Sequence, residues 1–221
     1  MQKSLAIVLT ILLAMPFAGA ADEVPQAKVT MDENMWVVFY DVPSRRFRTI
    51  RADFVRRQFD TAATDLRTSA SYLSIEAARA QPELATRLGE VAARLTWIAE
   101  NIGDNSVTGA ELDAVFGRAH WLLAQHYLAL ARQSRDTQQN RNAGLYLWAT
   151  THHIERAVLW SNARIDRKVQ QSLEDLRELA TDLQNESRAR RAYGEKPISR
   201  AEALLRDLGK VIDRPVVVTL Q

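Results

Sequence analysis

The chain has no cysteine. That excludes disulfides, thiolate chemistry, the Cys-x-x-Cys-His attachment of haem and acylation at a lipoprotein-type cysteine. It lacks a Gly-x-Ser-x-Gly elbow and a Gly-rich phosphate loop, so no motif offers a nucleophilic serine or a phosphate cradle. No pair of acids stands isolated on an apolar face, as acid–base work by two carboxylates favours; Glu174, Asp175 and Glu178 read as a solvated helix face. An excess of one charge is missing too. The 29 Lys and Arg residues against 27 Asp and Glu give a formal net charge of +2, which argues against a dedicated nucleic-acid binder.

Long apolar runs are absent beyond the first 20 residues, so no stable membrane insertion is expected there. Within them, Lys3 precedes the apolar stretch Leu5 to Met15, Pro16 breaks it, and Ala18-Gly19-Ala20 supplies a small-x-small cleavage pattern. Residues 1–20 therefore read as a cleavable secretory signal, with an uncleaved anchor helix as the alternative. Cleavage would place the remaining chain in the periplasm, where it is long enough to bury a core by apolar packing alone.

Residues 21–43 read as an N-terminal arm. Its end, Met35 to Val42 closed by Pro43, is rich in β-branched and aromatic residues, as is Pro215 to Leu220 near the C-terminus. The two segments either pair as a short ribbon or lie separately on the helices. Residues 44–221 read as one all-α domain, a helical bundle or short array of six to seven helices, with a tail over 214–221. Phe47, Ile50, Phe54 and Val55 begin the helical period. Asp60 offers a cap for a second helix after a turn at Gln58 to Asp60, although one unbroken helix over 47–80 fits as well. Pro82 suits a first helical position. Arg135 to Asn142 reads as the connection between two long helices.

A short pattern occurs twice. Gly103 to Glu111 and Gly194 to Glu202 share a glycine, an acid, a β-branched residue, a hydroxyl and an Ala-Glu pair. Thr108 with Glu111, and Ser199 with Glu202, have the spacing of a capping box. Ala62, Leu66 and Leu73 align with Ala143, Leu147 and Ile154, and Leu88, Val91, Ala92 and Leu95 with Leu176, Leu179, Ala180 and Leu183. The sequence thus suggests a tandem duplication, with halves of about 44–107 and 108–213 and a binding groove at the seam between them.

All four histidines fall in the hairpin 108–165: His120 and His126 on one helix, His152 and His153 on the next. With a connection centred near residue 138, antiparallel packing brings them within one to two turns of each other. Such a pair of helices can hold copper, zinc or haem, with Glu155 as a further oxygen ligand. The spacings do not favour it, because no His-x3-His or Glu-x2-His pair places two ligands on one face. Interfacial or core-edge histidines are the alternative. Trp97, Trp121, Tyr127, Tyr146, Trp148 and Trp160 line either a ligand pocket or the core. Arg188, Arg190 and Arg191 form a basic patch explained by a helix C-terminus.

The helix pairs, with Ala and Leu at repeat-like positions in Ala52-Asp53-Phe54 to Leu66 and in His126-Tyr127-Leu128-Ala129 to Leu147, resemble exported bacterial helical proteins of the YfdX type. They are also similar to tetratricopeptide-like hairpins, without the regular 34-residue period. The resemblance implies a periplasmic, stress-related or binding role. The expectation is a non-enzymatic module that binds a periplasmic protein or a small ligand, with a metal- or haem-binding protein as the alternative.

Overall fold

Pro43 opens a helix rather than closing a strand. It sits in the first turn of α1 (Val42–Val55), where a missing N–H costs nothing. The expected strand ending at Val42 is corrected to that extent; its remaining residues, and the C-terminal segment 215–220, lie outside the described part of the chain. The computed structural model describes residues 8–9, 29–30, 41–104, 106–161, 163, 166–185 and 195–212. Val8–Leu9 (β1) and Val29–Thr30 (β2) form a two-residue antiparallel pair, Val8 opposite Thr30, in a unit of its own that ends at Tyr40. The other residues of the expected signal and arm lie outside the described residues. The helical unit starts at Asp41, three residues before the expected boundary.

Six further helices follow among the described residues: α2 (Phe59–Arg79), α3 (Pro82–Asn101), α4 (Gly109–Asp136), α5 (Asn140–Ser161), α6 (Arg167–Gln184) and α7 (Glu195–Ile212). The fold is all-α. Residues 47–80 are two helices, because Arg57 takes a left-handed φ of 59°. Asp60 does not cap the second. It lies in the first turn, behind Gln58 at the N-cap, where its charge favours the helix N-terminus. Pro82 stands in the first turn of α3, where the sequence puts it. The α4–α5 joint is only three residues long and turns at Gln138, φ 60°.

Each helix packs mainly on its sequence neighbour, and α7 returns to α4. The interior holds the apolar stripes read from the sequence, Leu66, Leu73, Leu88, Leu95, Leu147 and Leu176 among them, all fully buried. Each such side chain contributes about 1.5–3 kcal/mol. Two glycines set helix spacing. A Cβ on Gly144 would stand 2.6 Å from the Ala180 carbonyl, and one on Gly209 would overlap the Trp121 ring. Among the described residues no helix is long and apolar enough to cross a membrane.

The duplicated capping box is corrected. At Thr108 the box is complete: its Oγ1 accepts from Glu111 N and its own N–H donates to Glu111 Oε2. Ser199 lies inside α7, which begins four residues earlier at Glu195. Pro197 explains this, since a proline in the first turn forgoes only an N–H that has no helical partner. The two segments do not start helices in the same way, so the most specific support for a duplication is gone. The remaining coincidences are those of any two amphipathic helices.

Candidate functional site

The α4–α5 hairpin does bring histidines together, but in three separate arrangements. His120 and His153 face each other Nδ1 to Nδ1 at 2.9 Å, and neither has any exposed surface. Burial holds the His120 ring well below the ordinary imidazole pKa, with His152 and Arg156 pushing the same way. Burial does the same to His153, aided by His120, His152, His126 and Arg156. Both rings are thus neutral near pH 7. They share one proton between the Nδ1 atoms, which leaves the other proton on one of the two Nε2 atoms. Phe47 of α1 meets His120 edge-on at 5.2 Å, and Tyr127 stacks on His153 at 5.4 Å.

His126 turns the other way. Its Nε2 lies 3.0 Å from Oε2 of Glu76, on α2. Glu76 is fully buried and also meets Arg79 Nη1 at 3.3 Å. The Tyr127 hydroxyl donates to Glu76 Oε1 at 3.4 Å and lies 3.0 Å from the Tyr72 hydroxyl. Burial, then the Glu76 charge, raises the pKa of both tyrosines well above the ordinary phenol value. Arg79, His126 and the Tyr127 hydroxyl thus surround the buried carboxyl group with hydrogen-bonding partners.

His152 is the accessible one, with a side chain 17% exposed. Ser44 Oγ is 2.6 Å from its Nε2, and Asp41 Oδ1 is 3.1 Å from the same atom. Ser, His and Asp are all present, yet this is not a nucleophilic triad. A triad needs the acid on one ring nitrogen and the hydroxyl on the other, so that the imidazole can take the serine proton while the acid holds its orientation. Here both partners compete for one nitrogen. Burial lowers the His152 pKa, Asp41 offsets part of that, and Arg156 adds to it. Glu155, the proposed oxygen ligand, is committed to Arg177 of α6.

His152, Arg156 and Trp160 recur every four residues and so form one stripe of α5. The first turn of α1 covers its start through Asp41 and Ser44. Phe116 of α4 meets Trp160 edge-on at 5.2 Å, and Phe47 stacks on Phe116 at 4.2 Å. Arg156 Nε and Trp160 Nε1 are buried without an acceptor. Arg48 of α1 is close enough to depress the His152 pKa. The stripe lies where α1 meets α4 and α5.

Sequence reasoning placed the histidines at the right level but missed their partners. Glu76 carried a signal, an acid on an otherwise apolar face of α2; Asp41 and Ser44 carried none, having been read as strand and boundary. Among the described residues no group of three or more His, Asp or Glu side chains converges as a metal's ligand set would. Of the six aromatics, Trp121, Tyr127 and Tyr146 are buried, whereas Trp97 and Trp148 are more than a third exposed. Arg188, Arg190 and Arg191 lie outside the described residues. Comparison with family models, curated proteins and solved structures returns no match.

Proposed function

We propose that the chain is an exported, non-enzymatic helical module of the periplasm that binds a ligand at the seam of α1, α4 and α5. The observation that carries this reading is the division of its reactive side chains. Of those able to do acid–base chemistry, Glu76, His120, His126 and His153 are closed into the core, Glu76 against Arg79, His126 and Tyr127 and His120 against His153. On the partly exposed stripe His152–Arg156–Trp160, Arg156 Nε and Trp160 Nε1 instead have no acceptor. Buried donors left open favour recognition over turnover, since they add binding energy without supplying a base or nucleophile. The shared Nε2 of His152 supports the same reading. The YfdX-type likeness contributes the helix-pair pattern and the exported setting.

A thermal-shift screen of the untagged chain against small metabolites and metal ions tests it. A metabolite that raises Tm, binds stoichiometrically and is recovered unchanged supports the module. Turnover of that compound, or stoichiometric copper, zinc or haem in the purified protein, overturns it in favour of an enzyme or of the metal-binding alternative.

A further inference from the structure

We propose that the ligand taken by this seam is a small oxyanion, a carboxylate or phosphate group held by Arg156 and the Trp160 indole N–H. This rests on the binding-module reading and names its ligand class. Most arginines of the chain that lie near an acid are paired: Arg46 with Asp65, Arg51 with Asp113, Arg94 with Glu111, Arg177 with Glu155. Arg156 meets no carboxylate among the described residues, although it is only partly exposed and its Nε is fully covered. A guanidinium and an indole N–H can only donate. The missing partner is therefore an acceptor, and the guanidinium beside it favours one with negative charge.

Two further features of the seam point the same way. At the N-terminus of α1 the N-cap residue, Asp41, makes no side-chain cap hydrogen bond and Pro43 has no N–H, which leaves the N–H groups of Val42 and Ser44 without a side-chain cap. The carboxylate already at the seam, Asp41, sits against His152 at 3.1 Å and lies 3.4 Å from exposed Arg45. It fills one edge of the donor set and leaves Arg156 and Trp160 unserved. An incoming oxyanion completes those donors and competes with Asp41 for His152. The Trp160 ring is held edge-on by Phe116, which fixes the direction of its N–H before binding. Such preorganisation favours a compact ligand over a flexible one.

The full chain is titrated with inorganic phosphate and, in a separate series, with acetate, at constant ionic strength. The Trp160 indole N–H and the His152 Cε1–H resonances report binding. The expected result is a saturable shift of both resonances with one or both anions; the arm that saturates distinguishes a phosphoryl from a carboxylate ligand. Affinity falls at least tenfold in Arg156→Gln and several-fold in Trp160→Phe, the latter followed at His152. Arg156→Lys, which keeps the charge and loses the fork, falls between Gln and the parent, and covers the case in which Arg156→Gln unfolds. No saturable shift with either anion, or affinity unchanged in the folded variants, overturns the assignment. If a neutral or cationic metabolite still raises Tm in that case, the binding-module reading survives; if none does, it fails too.

Discussion

His120 and His153 meet through the same kind of nitrogen, Nδ1 to Nδ1 at 2.9 Å, with both rings closed to solvent. A pair arranged so tolerates one shared proton and resists a second. On unfolding, each ring returns to the ordinary imidazole pKa of 6.5. The folded pKa lies below the unfolded one, so the unfolded chain takes up protons first, and stability falls as pH drops below about 6.5. Each histidine adds a slope of up to about 1.4 kcal/mol per pH unit in that window. Urea midpoints should be level from pH 8 to 7 and decline from 6.5 to 5. A profile that stays flat to pH 5 would contradict the neutral pair.

Glu76 should be the most sensitive single position. Replacing it with Leu takes the buried carboxyl group away from Arg79, His126 and the Tyr127 hydroxyl. The cost should be about 3–5 kcal/mol, the range for breaking one side of a buried ionic group. Tyr127→Phe removes one hydroxyl from the same network and should cost about 1–2 kcal/mol. Equilibrium urea unfolding of both variants gives the comparison; near-equal losses would mean that the charge at Glu76 has no special part.

Helical glycines divide into two kinds. At Gly89 nothing lies within 4 Å of an added Cβ, so Gly89→Ala should stabilise by up to about 1 kcal/mol through helix propensity. At Gly144 the Ala180 carbonyl is 2.6 Å away. Backbone cannot rotate aside, so Gly144→Ala must push α6 off α5 and should lose about 1–3 kcal/mol. Thermal unfolding reads both, and the prediction is a difference of sign.

The two resembling segments near Thr108 and Ser199 give a direct comparison. Thr108→Ala removes a complete capping box and should cost about 1 kcal/mol. Ser199→Ala acts on an exposed helix-interior serine and should stay within about 0.5 kcal/mol of the parent. Equal costs at both positions would restore Ser199 as a cap.

Periodicity made the helices legible, because a buried stripe repeats at the helical spacing wherever a helix packs on a core. The α4–α5 hairpin was readable for the same reason. Its polar connection lies between two apolar periods, which fixes the level at which His120 meets His153. What chain spacing could not supply were partners from other elements. Glu76 reaches His126 from α2, and Asp41 and Ser44 reach His152 from the start of α1; each depends on how non-adjacent helices settle together. Local signals also competed. Ser199 and Glu202 have the spacing of a cap, but Pro197 already opens the helix. Arg57 turns the chain without glycine, so the α1–α2 break left little trace in composition.

The Trp121 indole donates to the Leu205 carbonyl at 2.8 Å, across 84 positions of chain. Nearly every other helix packs on the one just before it, and such local contacts form quickly. During synthesis α1 to α6 can assemble in order as they emerge. The buried face of α4, complete in every other respect, waits for α7. Closure of the fold is therefore a late event that depends on the last helix. A chain shortened before Leu205 would leave Trp121 uncovered and its N–H without an acceptor, and it would be the natural target of proteases and chaperones.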